Sequence, residues 1–297
     1  MNTSFQKSEN IAGRSDENRV TPSIMPETLR LRGMKHAVVP IPRGFASSIY
    51  SDRCYPMSSL LSNKPIPSNE RLIMALDVPD VDSAKKLVET LGDAVVFYKV
   101  GLELFMSGGY FELIRWLSER EKRVFADLKF FDVPETVARA IRSLSQHGVD
   151  FATIHGNDSI MAAAAREKGN LKVLAVTVLT SLDQGDMRDL GFDCDVPQLV
   201  LSRARRALAL GCDGVISSGL EVPALRREVD NKLLVVSPGI RPVENRPQDD
   251  QKRVVSVPQA FENGADYIVV GRPIRDAQSP REEALRVQSQ IAGVFGA

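Results

Sequence analysis

The amino-acid sequence predicts an α/β protein built as a (β/α)₈ barrel of the TIM type. Eight short runs rich in valine, isoleucine and leucine follow one another between residues 71 and 271, with amphipathic stretches between them. The runs are apolar almost throughout, as expected for parallel strands covered on both faces. Similar phrases precede four of them, "LGDAVV", "HGVDFATI", "LGCDGVI" and "NGADYIVV", which indicates a repeated unit of helix, glycine and strand.

The strands and helices can be assigned in order along the chain. The predicted strands are residues 71–77, 94–100, 123–130, 150–155, 172–179, 214–218, 233–239 and 267–271. Between strands three and four, Pro134 suits the first turn of a helix and Gly148 suits its end. A doubly wound open sheet is the alternative, but it usually has a glycine-rich turn after its first strand, and "ALDVPDVDS" has none.

Residues 1–68 differ from the rest of the chain in composition. They contain seven of the 17 prolines and show little periodicity, which is poor material for a hydrophobic core. We therefore predict a mostly disordered N-terminal extension, residues 1–68, followed by a catalytic barrel domain, residues 69–297. The extension is either a dispensable tail or a misassigned start, in which case translation begins at Met57.

The overall composition excludes several classes of protein. Lysine plus arginine and aspartate plus glutamate both number 38, so nothing favours a nucleic-acid or acidic-membrane binder. No apolar run is long enough for a transmembrane helix, and three scattered cysteines indicate a reduced, cytoplasmic setting. The three histidines lack metal-ligand spacing, so we expect no metal site.

Charged residues cluster where the first three predicted strands end. They are Asp77, Lys99, Asp127, Lys129 and Asp132. Asp127 and Lys129 are two residues apart in a strand and therefore share a face, which in a barrel can be the lumen. Barrel enzymes build their active sites at this rim. A helix N-cap is the simpler alternative for Asp132, but five charges of alternating sign favour a preorganised array that keeps both lysines protonated.

A candidate anion site follows strands seven and eight. These strands lead into "SPGIRP", with Arg241, and "VVGRPI", with Gly271 and Arg272. The loops after strands seven and eight are the usual phosphate position in this architecture. Glycine permits close approach of a backbone N–H, and arginine can bind phosphate through charge-assisted hydrogen bonds. Together with Gln251 in the intervening loop, these residues predict a phosphate site.

The ordered motifs "ALDV", "KVGLELF", "FADLKFFDVPETV", "VLTS", "SPGIRP" and "VVGRPI" resemble those of the orotidine 5′-phosphate decarboxylase family over residues 70–291. The resemblance implies a barrel enzyme that converts orotidine 5′-phosphate to UMP, the last step of de novo UMP synthesis. It also implies that the enzyme uses neither a metal nor an organic cofactor. Family members are homodimers with shared active sites, so a second copy of the chain is the expected partner.

The resemblance also implies a role for each matching residue. Lys129 would deliver the proton to C6, beside Asp127 and Lys99, and Asp132 would reach the partner's site. Asp77 and Lys99 would bind the ribose, and Thr180 would contact the pyrimidine, with Ser181 as its alternative. Arg241, Gln251, Gly271 and Arg272 would hold the nucleotide and its phosphate, with Gln248 as the alternative to Gln251. His155, at the end of strand four, is expected to be structural.

Two different functions are compatible with parts of this pattern. Sugar-phosphate enzymes such as 3-keto-gulonate 6-phosphate decarboxylase share the Asp-x-Lys-x-x-Asp motif, but they carry a magnesium-binding glutamate where this chain has Lys99. A lysine there would repel the metal. The second possibility is a non-catalytic nucleotide-binding barrel, against which the complete set of charged residues argues.

Overall fold

The computed structural model describes residues 60–241 and 253–296. Within this part of the chain, eight parallel strands close into a barrel in the order of the sequence. They are β1 (Leu72–Ala75), β2 (Phe97–Gly101), β3 (Arg123–Phe130), β4 (Phe151–His155), β5 (Lys172–Val176), β6 (Gly214–Ile216), β7 (Leu234–Ser237) and β8 (Tyr267–Val270). The predicted (β/α)₈ barrel is confirmed.

Helices surround the sheet and connect its strands. They are α1 (Val81–Leu91), α2 (Leu102–Met106), α3 (Tyr110–Ser118), α4 (Pro134–Leu144), α5 (Asp158–Glu167), α6 (Gln184–Asp189), α7 (Val196–Ala209), α8 (Val222–Glu228), α9 (Val257–Glu262), α10 (Arg272–Arg275) and α11 (Pro280–Phe295). Helix α4 begins at Pro134, and the turn that follows it ends at Gly148 with a φ of 72°, as its sequence predicts. Every helix in the described ranges is too short or too polar to span a bilayer.

Several strands are shorter than the apolar runs that predicted them. Strand β5 ends at Val176, although the apolar run continues to residue 179. Strand β1 ends at Ala75, so Asp77 lies two residues beyond the sheet. The extra residues keep their apolar character because they line the barrel mouth or pack beneath helices, as the buried Val178 does. The apolar, strand-like composition therefore continues past the strand ends into the loops at the carboxyl end of the barrel.

The core has two layers, one inside the barrel and one between the sheet and the helices. The inner layer is rich in aromatic residues, and Phe151 makes edge-to-face contacts with Phe97 at 5.0 Å and with Tyr267 at 5.2 Å between ring centroids. Such pairs stabilise a core beyond the area that they bury. They fill the lumen below Phe125, so the barrel is open only toward the carboxyl ends of its strands.

The last residues of the predicted extension pack against the barrel. The Ser62 hydroxyl donates a hydrogen bond of 2.5 Å to Asp266, and the Lys64 ammonium lies 3.0 Å from the same carboxylate. Ile66 packs against the inner core. The chain is therefore already part of the barrel domain several residues before the predicted boundary at residue 69. Residues 1–59, and with them Met57, lie outside the described residues.

Candidate active site

A cavity of about 360 Å³ opens at the carboxyl ends of the strands. Its lining combines apolar residues of the barrel with charged residues of the following loops: Ala75, Phe125, Val176, Ile216 and Val269 on one hand, and Asp77, Lys99, Asp127, Lys129, Arg241, Arg272 and Arg275 on the other. A cavity of this kind suits a small ligand that has both a flat apolar part and an anionic part.

Four of the predicted residues form a continuous chain of ion pairs in this cavity. The Lys99 ammonium lies 3.0 Å from the Asp77 carboxylate and 3.5 Å from that of Asp127. The Lys129 ammonium lies 2.9 Å from both oxygens of Asp127. Lys99 and Asp127 have side chains only 12% exposed, whereas the Lys129 side chain is 34% exposed. The array is thus buried at its centre and open to the cavity at Lys129.

The backbone at the end of β3 departs from a regular strand. Ala126 pairs with Ala152 and Phe130 pairs with Ile154, so β3 advances by four residues over the length in which β4 advances by two. Lys129 takes up the difference with a φ of 48°, in the left-handed region that non-glycine residues rarely adopt. The Thr153 hydroxyl occupies the gap: it accepts from the Lys129 N–H at 2.9 Å and donates to Asp127 at 2.8 Å. Local strain therefore aims the Lys129 side chain.

The alternating charges keep the array ionised. Burial by itself would lower the pKa of Lys99, but the neighbouring Asp127 and Asp77 carboxylates outweigh it and raise that pKa. Burial would raise the pKa of Asp127, but Lys99, Lys129 and the Thr153 hydroxyl outweigh it and lower that pKa. Both shifts favour the charged forms, so Lys99 and Asp127 form a fixed pair of opposite charges at the buried centre of the array.

The wall formed by the loops after β7 and β8 is rich in arginine. Arg241, Gly271 and Arg272 all line it, as the motifs after β7 and β8 predict. Arg275 lines it as well, and it donates hydrogen bonds to the Asp77 carbonyl and, at 2.6 Å, to the Asp276 carboxylate. Arg275 thereby joins the loop after β1 to the loop after β8. Three guanidinium groups on one wall favour an anion.

The structure leaves some of the predicted site residues apart from this cavity. Asp132 is not among the described residues that line it, and its carboxylate accepts a hydrogen bond of 2.6 Å from the Val133 N–H. The N-cap of α4 is Val133, so Asp132 is not the N-cap that the simpler explanation of this residue requires. His155 also lies outside the lining, with its ring 5.4 Å from that of Phe131.

Two choices between nearby residues stay open. Thr180 and Ser181 both line the cavity, so the geometry does not choose between them as the contact to the pyrimidine. Gln251 and Gln248, the two candidates for the phosphate, lie outside the described residues.

Sequence reasoning missed three residues at the site. Thr153 is a polar residue in the apolar run "FATIH", which is a weak signal for an inward-facing contact. Arg275 follows Arg272 by three residues, one helical turn later. Gly101 lies behind the array: a methyl group there would come within 3.4 Å of the Lys99 ammonium. That distance is an ordinary van der Waals contact, so Gly101 lies close to the array without being required by it.

The fold and the site together define a barrel protein with a charged small-molecule site at the carboxyl face of its sheet. In the described residues, no group of three or more histidine, cysteine, aspartate or glutamate side chains is placed to hold a metal ion. The charged groups that line the site are the ammonium, carboxylate and guanidinium groups described above.

Comparison with known proteins identifies the family. A model of the orotidine 5′-phosphate decarboxylase / HUMPS family matches residues 70–287. The orotidine 5′-phosphate decarboxylase of Methylococcus capsulatus is 75% identical over 241 residues, which cover 81% of this chain and the whole relative. That of Stenotrophomonas maltophilia is 48% identical, covering 80% of this chain and all of the relative. This chain belongs to the orotidine 5′-phosphate decarboxylase / HUMPS family, as its motifs predict.

Solved structures agree with this assignment. The crystal structure of orotidine 5′-phosphate decarboxylase from Lactobacillus acidophilus matches with a TM-score of 0.67 and 33% sequence identity. The match covers 75% of this chain and 99% of that one. The similarity therefore spans the complete barrel of the neighbour rather than a fragment of it.

Proposed function

We propose that this chain decarboxylates orotidine 5′-phosphate to UMP in pyrimidine biosynthesis, without a metal or an organic cofactor. The observation that carries the proposal is the ion-paired array Asp77–Lys99–Asp127–Lys129, which lines one cavity together with Arg241, Arg272 and Arg275. The family and the names of the close relatives support the same reaction. Location in the cytoplasm remains a prediction from composition.

The two walls suit different parts of the nucleotide. Arg241, Gly271 and Arg272, with Gln251, would hold the phosphate through charge-assisted hydrogen bonds. Asp77 and Lys99 would bind the ribose hydroxyls. The apolar lining and Thr180 would contact the pyrimidine, which places its C6 carboxylate toward Asp127 and Lys129. Binding the phosphate at a distance would supply energy for positioning the ring.

The proposed chemistry is a carbon–carbon cleavage followed by protonation. The bond from C6 to the carboxylate breaks, carbon dioxide leaves, and the electron pair stays on C6. The Lys129 ammonium stabilises this developing negative charge and then transfers a proton to C6, giving UMP. Neutral Lys129 regains its proton from water. The electrons balance without an oxidant or a reductant.

Asp127 has a positioning role in this scheme. It binds the Lys129 ammonium with both oxygens at 2.9 Å and contacts Lys99 on its other side, so neither ammonium can turn away. The array is therefore organised before the substrate arrives, which is the condition for electrostatic catalysis. Asp127 would also lie close to the substrate carboxylate, which leaves as neutral carbon dioxide while its negative charge moves to C6, beside the Lys129 ammonium.

Incubation of the purified protein with orotidine 5′-phosphate tests the function directly. The absorbance of the substrate should fall as UMP forms, and the rate should be unchanged after treatment with EDTA. No change in absorbance would overturn the proposal and favour a non-catalytic nucleotide-binding barrel. Activity that EDTA abolishes would favour a magnesium-dependent member of the family acting on sugar phosphates.

We further propose that the protein is a homodimer in which Asp132 enters the partner's site. Large apolar side chains are exposed after the neighbouring strands β2 and β3: Leu102 and Met106 on α2, and Phe131 and Val133 on either side of Asp132 in the sequence. Exposed apolar surface at one rim suits a protein interface. In an isologous dimer, each site would combine Lys129 of one chain with Asp132 of the other.

Mixing two inactive variants tests this arrangement. Lys129→Ala and Asp132→Asn homodimers should both be nearly inactive. After the two chains are unfolded and refolded together, about half of the dimers should be mixed, and each mixed dimer should have one intact site. Activity should then return to about a quarter of wild type, whereas each variant refolded alone stays inactive. Mixed dimers without recovered activity would contradict the shared site.

A further inference from the structure

A buried ion pair lies behind the cavity wall and has no place in the proposed chemistry. Arg253 and Glu221 are joined through a guanidinium–carboxylate contact, and their side chains are only 14% and 10% exposed. Neither belongs to the described residues that line the cavity. Any effect of the pair on a ligand in the cavity therefore passes through the residues to which the pair is hydrogen-bonded.

Glu221 is fixed by the loop after β6. Its second carboxylate oxygen accepts hydrogen bonds of 2.8 Å from the Ser217 hydroxyl and 2.9 Å from the Ser218 N–H. With one oxygen bound to this loop and the other bound to Arg253, the carboxylate has little freedom to turn. A guanidinium held in this way presents its remaining N–H groups in a fixed direction.

Those N–H groups point to the loop after β5. The Arg253 guanidinium donates hydrogen bonds to the carbonyl of Leu179 at 2.9 Å and to that of Val178 at 3.3 Å. Strand β5 has already ended at Val176, so these carbonyls lie beyond the sheet. Val178, Leu179 and the following Thr180 all line the cavity. Arg253 thus holds the backbone of the wall segment that leads into Thr180.

The backbone around Arg253 is anchored to a third loop. Val255 donates from its N–H to the Gly239 carbonyl at 3.3 Å and accepts from the Arg241 N–H at 3.1 Å. Gly219 packs so closely against Val255 that a Cβ atom at that glycine would lie 2.4 Å from its side chain. One short segment therefore joins the loops that follow β5, β6 and β7.

A purely structural role is the simpler explanation for such a pair. Buried ion pairs often contribute little net stability compared with apolar residues of similar size. An apolar pair, however, could not donate hydrogen bonds to two carbonyl groups that lie outside the sheet. An arginine at position 253 is therefore needed to hold the backbone of the wall segment in place. This requirement links the pair to the ligand site.

We propose that Arg253, held by Glu221, is a positioning residue that fixes residues 178–180 as the wall for the base of the nucleotide. This inference rests on the proposed function, because it assumes that the base binds beside Thr180. It assigns the pair to recognition of the base, whereas Arg241 and Arg272 are assigned to the phosphate.

Two ligands separate a role at the base from a general one. UMP has both base and phosphate, and ribose 5-phosphate lacks the base. In Arg253→Met, the Kd for UMP should rise about tenfold or more, since hydrogen bonds to charged groups are worth roughly 1.5–3 kcal/mol. The Kd for ribose 5-phosphate should stay within about twofold of wild type. Arg205→Met, which removes an arginine from the exposed pair with Glu228, is the matched control.

Two further variants keep the test decisive if Arg253→Met folds poorly. Arg253→Lys keeps the charge beside Glu221, but its single ammonium lacks the spread of the guanidinium and cannot reach Glu221 and both carbonyl groups together, so it should show the same selective loss for UMP. Glu221→Gln keeps the shape but loosens the guanidinium, and its loss should be smaller and of the same kind. Equal losses for both ligands, or no loss for either in Arg253→Lys, would overturn the positioning role.

The failure of this inference can be told apart from the failure of the proposed function. A wild-type protein that neither binds UMP nor consumes orotidine 5′-phosphate would overturn both. If the wild type binds UMP and decarboxylates orotidine 5′-phosphate, and the Arg253 variants bind UMP equally well, only the inference fails.

Discussion

Each end of the barrel holds an aspartate among positive charges, and the two ends use it differently. At the carboxyl end, Asp127 pairs with Lys99 and Lys129 beside an open cavity. At the opposite end, the fully buried Asp266 pairs with Arg226 and Lys64. Each carboxylate lies between two cations. A difference between the two sites therefore reflects the other residues around each carboxylate.

The aspartate at the closed end has all its hydrogen bonds made within the protein. Its oxygens accept from Ser62 at 2.5 Å, Lys64 at 3.0 Å, Arg226 at 2.7 Å and the Val235 N–H at 2.8 Å. These contacts join the start of the described chain, α8, β7 and the residue before β8. The closed end is thus a structural cluster that leaves little bonding capacity for a ligand.

The lysines at the two ends are shifted in opposite directions. Burial lowers the pKa of Lys64, and the nearby Arg226 and Arg71 lower it further against the opposing effect of Asp266. Burial also acts to lower the pKa of Lys99, but two carboxylates overcome it and raise the pKa. Lys64 shares one carboxylate with a second cation, whereas Lys99 lies between two carboxylates, and this difference in neighbours explains the opposite shifts in pKa. The proposed chemistry requires a fixed positive charge at the open end.

A non-glycine residue with positive φ occurs at each end of the barrel, but of the two only Lys129 lines the cavity. Lys129 has a φ of 48°, and the only other non-glycine residue with positive φ in the described ranges is Glu121, in a turn after α3. Such a conformation costs on the order of 1–3 kcal/mol. At the open end, the strained residue is Lys129, whose ammonium group lines the cavity. The comparison supports a division in which the closed end maintains the fold and the proposed chemistry takes place at the open end.

The largest effect on stability is expected from Asp266→Asn. Without its negative charge, the buried Arg226 and Lys64 lose their counter-ion, which costs about 3–5 kcal/mol when a buried pair is broken. Urea denaturation should show this loss, while turnover per folded molecule stays at the wild-type level. Asp93→Asn, which breaks an exposed pair with Arg281, is the control and should change stability little. A large loss of turnover in folded Asp266→Asn would contradict the division between the two ends.

Arg272→Ala should act at the open end alone. Loss of charge-assisted hydrogen bonds to the phosphate should lower kcat/KM for orotidine 5′-phosphate about a hundredfold. The slow reaction of orotidine, which lacks the phosphate, should be unaffected. Arg139→Ala, which removes an exposed arginine from α4, serves as the control. If the variant still prefers the nucleotide over the nucleoside as strongly as wild type, Arg272 does not bind the phosphate.

Thr153→Val should have a smaller, pH-dependent effect. The Thr153 hydroxyl helps to lower the pKa of Asp127, so its loss should destabilise the protein by about 1.5 kcal/mol at pH 7. Because the folded pKa of Asp127 lies below its unfolded value, this contribution is fully present above about pH 4 and disappears as the pH falls through the folded pKa. The difference from wild type, measured by denaturation at pH 7 and pH 3, should therefore shrink in acid. A difference that does not change with pH would exclude the bond to the Asp127 carboxylate as its source.

Removal of residues 1–56 should have the smallest effect. The deleted segment is rich in proline and aperiodic, and the contacts of Ser62, Lys64 and Ile66 with the barrel are retained. Activity and the melting temperature should both stay within error of the full chain. A truncated protein that fails to fold would show that the segment belongs to the closed end.

Much of this arrangement could be predicted from sequence because it depends on local order along the chain. Eight apolar runs, each followed by a helix, give the barrel, and strand ends give the charged rim. Strand alternation predicts that Asp127 and Lys129 share a face, and their charged groups do meet. The backbone between these two residues is not the regular strand that alternation assumes, because Lys129 adopts the left-handed region beside a register shift. Alternation carries no information about such a shift.

The remaining features depend on contacts between distant parts of the chain. Thr153 lies 26 positions from Asp127, and Arg253 lies 32 positions from Glu221. Neither spacing has a local signature, so only the closed barrel brings these groups together. The cluster around Asp266 was missed for the same reason, because residues 60–68 have the composition of a tail. They become ordered through a carboxylate some 200 residues later.

The turnover of Lys129→Ala tests the central claim most directly. In the proposed chemistry Lys129 bears the proton that C6 receives, and its side chain is not part of the core, so its loss should lower kcat at least about a thousandfold while the melting temperature is retained. Lys85→Ala, at a surface lysine of α1, should match wild type in both measurements. The rate is read from the absorbance of orotidine 5′-phosphate, and the folded fraction from a thermal melt of the same sample. Turnover of folded Lys129→Ala within tenfold of wild type would contradict the role of Lys129 as the proton donor.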